Sequence, residues 1–219
     1  MIAALVAAAI SMKAPLEDAA KQFGASSPGE AITFTFGSTG QLAAQIEQGA
    51  PVDLFVSASP FDMERLAVAH RIDPATRAVI AGNRLVVVVP RGAAPPAGMG
   101  DLLGPGFRRI AVGNVKTVPA GRYAREALVA AGLLDRVQQQ FVYAENVRQV
   151  VDLVARTEAD AGFVYATDVP LGGDSIDFAF EIPDRLHAPI VCEGAVIGGA
   201  KAGARAGAFL AFLTSPKGS

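Results

Sequence analysis

No stretch of the chain constrains its fold more than Ile32 to Ala58, ITFTFGSTGQLAAQIEQGAPVDLFVSA. Ile32, Phe34 and Phe36 alternate with Thr33 and Thr35, the period of a pleated strand, while Leu42 and Ile46 fall on one face of a helix. Gly49 and Pro51 stop that helix, and Val52 to Val56 returns as a buried strand. The turn between strand and helix is Gly37-Ser38-Thr39-Gly40. Its glycines let the backbone approach a ligand, its hydroxyls supply donors, and the helix opening near Gly40 aims unpaired N–H groups at the same spot. Such a turn is the start of a small anion site.

The rest of the chain repeats this alternation. A strand from Ala3 to about Ile10 runs through Ser11 into a helix with Leu16, Ala19, Ala20 and Phe23 inward, ending near Gly24. Ser11 reads either as that helix's N-cap or as a ligand hydroxyl. After Ser59-Pro60-Phe61-Asp62, a cap with Pro at the first helical position, comes a helix carrying Met63 and Leu66. A short helix after Asp73-Pro74 then leads to Gly82-Asn83. Leu85 to Val89 is a continuous apolar strand of the fully buried kind. Gly82-Asn83 is the expected crossing into a second domain, with residues 1–82 and 189–219 forming one lobe and 83–188 the other.

In the second lobe a strand at Arg109 to Val112 precedes Val118-Pro119-Ala120-Gly121 and a helix ending at Gly132. Phe141 to Tyr143 leads through Asn146-Val147 into another helix. Ala161 to Tyr165 is a strand ending in a phenol before Thr167-Asp168. Phe178 to Ile182, Ile190 to Cys192 and Ala195 to Ile197 follow, then a helix with Phe209 and Leu213. The pattern is α/β with mostly parallel sheets, a class that holds ligands outside the carboxyl ends of its strands.

Composition narrows the function. With 219 residues, 51% hydrophobic and 18% charged, the chain is globular, and its net charge of −2 with scattered lysines and arginines argues against nucleic acid as a partner. The single Cys192 builds no disulfide within the chain, and His70 and His187 lack metal-ligand spacing. The apolar start, MIAALVAAAISM, is too short to span a membrane and lacks the basic beginning of a full signal peptide. It reads as a first core strand, with any leader absent or removed.

Catalytic motifs are missing: no nucleophile elbow, P-loop, dinucleotide fingerprint or H-E-x-x-H appears. Asp53 and Asp168 read as caps or turn formers. What recurs is a strand, then small or hydroxyl residues, then a helix start, at Ser11, Ser38-Thr39, Ala120 and Asn146-Val147. Helix N-termini attract anions, and several together suit an ionised oxyanion without arginine or lysine. A cage of donors alone favours a tetrahedral dianion that keeps no proton at neutral pH, such as sulfate, molybdate or tungstate. A phosphate bearing a proton would face those donors with an unaccepted O–H.

At these same residues the chain resembles the periplasmic molybdate-binding proteins of ABC importers. The matching segments are AAISM, FGSTGQLAAQIEQGAPVDLFVSAS, GNRLVVVVP, AVGNVKTVPAGRYAREAL, AENVRQVVDLV and AGFVYATD. The resemblance implies a type II periplasmic binding protein, with two α/β lobes of mixed, mostly parallel sheets and the oxyanion in the cleft between them. It implies hydroxyl donors at Ser11 and at Thr39, with Ser38 adjacent, backbone amides at Ala120 and Val147, and the phenol of Tyr165. These contacts would reach molybdate only through its oxygens, with no separate metal site or cofactor.

A monomeric, non-enzymatic, periplasmic or extracytoplasmic receptor for molybdate and tungstate is the implied function, delivering its ligand to a membrane permease with a cytoplasmic ATPase. A receptor for sulfate or another oxyanion, or an oxyanion-sensing domain or enzyme on the same fold, are the alternatives. Three departures from the family pattern stand out. Thr39 replaces an expected serine, Asn146 stands where an acid is usual, and the usual final helix is not seen, with Lys217-Gly218-Ser219 reading as appended sequence.

Overall fold

The computed structural model of the chain describes residues 3–26, 29 and 31–216; Met1 and Ile2 of the apolar start and the final Lys217-Gly218-Ser219 lie outside these. Two compact units form, one from the residues up to Gly82 together with those from Val191 onward, the other from Asn83 to Ile190.

The first unit begins β1 (Ala4–Ala9), α1 (Lys13–Ser26), β2 (Ile32–Gly37), α2 (Thr39–Glu47), β3 (Leu54–Ser57), α3 (Pro60–Val68) and β4 (Ala78–Gly82). The second contains β5 (Leu85–Pro90), β6 (Ile110–Gly113), α4 (Pro119–Ala130), α5 (Leu134–Val137), β7 (Phe141–Ala144), α6 (Val147–Ala155), β8 (Ala161–Tyr165) and β9 (Ile176–Glu181). The chain then returns to the first unit through β10 (Val191–Val196) and α7 (Gly203–Leu213).

Each unit is built on a five-stranded mixed sheet, ordered β2-β1-β3-β10-β4 in the first and β7-β6-β8-β5-β9 in the second. In the first, β1 pairs in parallel with β2 and β3, and β10 runs antiparallel to β3 and β4. In the second, β6 is parallel to β7 and β8 while β5 is antiparallel to β8 and β9. One strand in each sheet therefore opposes the other four. The two reversed strands, β5 and β10, are those with which the chain enters a unit after a crossing.

Helices cover both faces of the first sheet. Ala7 and Phe55 pack with Leu42, Ile46, Met63 and Leu66 of α2 and α3. Phe209 of α7 meets Phe23 of α1 and Phe34 of β2, with ring centroids 5.4 and 6.2 Å apart. Asp53, beside β3, is buried because its Oδ2 accepts from the Leu5 amide and its Oδ1 from the Ala202 amide, both at 2.9 Å. It thus ties the start of β1 to the approach of α7, a structural use that fits its reading as a turn former. In the second unit Val86, Val88 and Val164 pack against Val150, Val151 and Val154 of α6.

Several local expectations change. The first helix continues through Gly24 to Ser26, and a 3-10 turn over Ile10–Met12 leads into it. The segment after Asp73-Pro74 makes only a 3-10 turn, and Ala78–Gly82 is strand, not helix, because β10 offers it a ladder. The strand expected at Ile190 to Cys192 runs on into the apolar Ala195-Val196, so that β10 spans Val191–Val196, with an irregular register between Cys192 and Glu193.

Candidate anion site

In the first unit the residues singled out in sequence gather at one end of the sheet. The parallel register puts Ala9 beside Gly37, so Ser11, two residues past β1, and Ser38, one past β2, follow neighbouring strand ends. Both are buried, with Ser11 9% and Ser38 4% exposed. Ser11 lies inside the 3-10 turn whose N-cap position is Ala9, so it is not the helix cap.

Ser38 occupies the N-cap position of α2 in an extended conformation, yet its side chain makes no capping bond. Its Oγ is buried with no hydrogen-bond partner among the described residues. A serine at this position ordinarily satisfies one of the helix's orphan amides, and a buried hydroxyl left unpaired costs about 1–3 kcal/mol. Thr39, 1% exposed, is differently placed, because its Oγ1 accepts from the Ala58 amide at 3.3 Å and so links α2 to the end of β3.

A third helix starts at the same sheet end, and the contrast is informative. The N-terminus of α3 is capped by Ser59, whose side chain accepts from the Phe61 amide, and Asp62 lies in its first turn. Neither α1 nor α2 has an acid in its first turn. The positive ends of α1 and α2 are thus uncompensated where that of α3 is occupied.

In the second unit Ala120 and Val147 follow the carboxyl ends of the parallel strands β6 and β7, and Tyr165 is the last residue of β8, which is parallel to β6. The α4 helix opens at Pro119 with no side-chain cap and no acid in its first turn. Proline there removes an amide the helix could not have used, and Ala120 leaves the next amide uncovered by a side chain. This helix start is pressed onto the sheet. A Cβ at Gly113 would fall 2.4 Å from Val118 Cγ1, so only glycine lets the strand end and the helix start meet.

At α6 the cap is used. Asn146 Oδ1 accepts from the Gln149 amide at 3.1 Å, and Gln149 Oε1 accepts from the Glu145 amide at 2.7 Å. These two bonds satisfy the amides of Gln149 and Glu145 and leave that of Val147 as the helix's first orphan donor. An asparagine caps without placing a negative charge beside it.

Tyr165 ends β8 and is 1% exposed. Three residues on, Asp168 is fully buried, and its Oδ2 accepts from the Tyr165 amide at 3.2 Å. Burial pushes the Asp168 carboxyl up to about 7, against the opposing pull of the Tyr165 amide and of Arg148. Asp168 thus caps the start of the 3-10 segment Ala166–Ser175, in keeping with its reading as a cap or turn former, while its complete burial is set by packing that no local pattern reports.

Among the described residues no group of three or more His, Cys, Asp or Glu side chains could hold a metal ion, and no helix is long and apolar enough to cross a membrane. Cys192 is buried and takes part in no disulfide among the described residues, and His187 uses Nδ1 on the Ala188 carbonyl at 2.8 Å. Each unit therefore presents hydroxyl and amide donors at the carboxyl ends of its parallel strands.

Residues 4–219 match the model of the family described as bacterial extracellular solute-binding protein. The molybdate-binding protein ModA of Escherichia coli K12 is 36% identical over 219 residues, covering 97% of this chain and 83% of that protein. Among solved structures, the periplasmic molybdate-binding protein of Azotobacter vinelandii superposes with a TM-score of 0.83 at 30% identity, covering 98% of this chain and 94% of that one. The sulfate-binding protein SubI of Mycobacterium tuberculosis has a TM-score of 0.81 at 19% identity, covering 99% of this chain and 82% of that one, a likeness of fold.

Proposed function

Because the chain belongs to the bacterial extracellular solute-binding proteins, and within them to the ModA family of molybdate-binding proteins, we propose that it captures molybdate, and tungstate with it, for import through an ABC permease. Membership of a solute-binding family makes the chain a receptor and not an enzyme. The observation that carries the ligand reading is Ser38, a buried hydroxyl at the start of a helix it does not cap, without a partner among the described residues. A donor left in that state is explained by a ligand oxygen that accepts from it.

The donors form two sets, one in each unit. Ser11 and Ser38 supply hydroxyls in the first, with Thr39 fixing the turn through Ala58 and keeping its own proton to donate. Ala120 and Val147 supply amides in the second, and Tyr165 a phenol. Five or six donors with no carboxylate among them favour an anion that holds no proton, and each charge-assisted bond is shorter and stronger than a neutral one.

Isothermal titration of the ligand-free protein tests this, using molybdate, tungstate, sulfate and phosphate in turn. One-to-one binding of molybdate and tungstate that excess sulfate does not displace is expected. Equal competition by sulfate would make the protein a general tetrahedral-oxyanion receptor, and binding of none of the four by a folded sample would refute the reading.

A further inference from the structure

Asp168 is fully buried, and one of its two carboxyl oxygens is accounted for by the Tyr165 amide. The other, Oδ1, is buried with no hydrogen-bond partner among the described residues. The segment that carries Asp168 packs on α6, the helix whose first residue is Val147. Asp168 is thus joined by a hydrogen bond to one of the second unit's proposed donors, and its segment packs on the helix that carries another.

Asp168 is the capping-box residue of the 3-10 segment Ala166–Ser175, whose N-cap is Tyr165, but that role uses only one of its two carboxyl oxygens. A buried carboxyl with an unsatisfied oxygen is costly, and residues that keep such a cost tend to serve a site. Its raised protonation range, caused first by burial, is the same cost seen from another side. The bond to the Tyr165 amide holds the backbone at the end of β8, from which the phenol projects. A side chain with two torsions ahead of its ring and an anchored backbone presents its hydroxyl in a narrow range of positions.

We propose that Asp168 is a positioning residue, which fixes Tyr165 through its main-chain amide so that the phenol is preset to donate to the bound oxyanion. This deepens the receptor reading, on which the ligand role of Tyr165 rests. The acceptor atom is what matters, so asparagine can replace the aspartate, whereas alanine or valine cannot.

Two measurements separate this from a purely structural role and from failure of the receptor reading. The first needs no ligand. The chain has three tyrosines, so fluorotyrosine labelling yields three resonances in the fluorine NMR spectrum, and Tyr165→Phe identifies the one from Tyr165. Asp168→Ala should shift and broaden that resonance, and Asp168→Asn should leave it in place. An unmoved resonance in a folded Asp168→Ala sample, or an equal shift in Asp168→Asn, overturns the proposal whatever the protein binds. Should Asp168→Ala not fold, Asp168→Val, which fills similar space without an acceptor, takes its place.

The second is a double-mutant cycle read by titration with molybdate. Asp168→Ala is expected to weaken binding about 10-fold, the effect of losing one hydrogen bond's worth of positioning, with Asp168→Asn restoring it. In the Tyr165→Phe background the same alanine change should have little further effect. An undiminished loss there would show that Asp168 does not act through Tyr165. Absence of molybdate binding in the unmutated protein would count against the receptor reading, and the fluorine spectrum would still decide the role of Asp168.

Discussion

Gly121 in the first turn of α4 lies against Gly113 at the end of β6, so closely that a Cβ on Gly121 would sit 1.9 Å from the Gly113 carbonyl oxygen. The contact is with backbone, which has no rotamer to yield. Gly121→Ala must therefore push the helix start away from the strand end, carrying the Ala120 amide with it. Molybdate affinity should fall by at least about tenfold, since hydrogen bonds weaken steeply with displacement. Titration measures that loss, and circular dichroism shows whether the helix content is kept. Wild-type affinity in this variant would remove Ala120 from the site.

Ser38 and Thr39 should separate cleanly. Ser38→Ala removes a hydroxyl that makes no internal bond, so the melting temperature should hold or rise while molybdate binding weakens by about 1.5–3 kcal/mol. Thr39→Val keeps the shape but leaves the Ala58 amide without its acceptor. It should lower stability by about 1–3 kcal/mol. Thermal melts paired with titration distinguish the two, and an unchanged affinity in Ser38→Ala would transfer the ligand role to its neighbour.

Asp53 predicts a stability effect remote from any ligand. Asp53→Ala orphans the amides of Leu5 and Ala202 together. With hydrogen bonds to charged groups worth about 1.5–3 kcal/mol each, a loss of roughly 3–5 kcal/mol is expected, short of simple addition because the two share one carboxylate. Urea unfolding gives the number. A change under about 1 kcal/mol would mean that water replaces the carboxylate at both amides.

Stability should also respond to pH through Asp168. Its folded-state value of about 7 lies above the ordinary 3.8, so folding favours the protonated form. That contribution is full below about 3.8 and is lost as pH rises to about 7, by linkage. A gap of about three units corresponds to roughly 4 kcal/mol. Asp168→Asn, which cannot ionise, should therefore gain stability over the parent as pH rises from 4 to 8. Unfolding curves for both proteins at pH 4.5 and pH 8 test this, and a constant difference between them would contradict it.

Much was legible along the chain because it is written in local patterns. Alternation in Ile32 to Phe36, the apolar run from Leu85 to Val89 and the glycine stop at Gly132 report strand, buried strand and helix end through rules that act within a few residues. The junctions at Ser11, Ser38-Thr39, Ala120 and Val147 were visible for the same reason, since a helix start is a local event. Ala78–Gly82 was misread because five apolar residues fit a helix or a strand equally, and only β10 settles the matter by offering a ladder.

The sequence by itself determined most of the strands and helices, Ala78–Gly82 excepted, and where the candidate helix starts would fall. Only the tertiary structure decided that Ser38 keeps a buried hydroxyl without a partner while Thr39 gives its oxygen to Ala58, that Gly121 must touch Gly113, and that Asp168 turns inward to hold Tyr165. The physical reason is range. A propensity is set by neighbours in the chain, but a hydrogen-bond partner, a van der Waals limit and a desolvated carboxyl are set by atoms that packing brings from elsewhere.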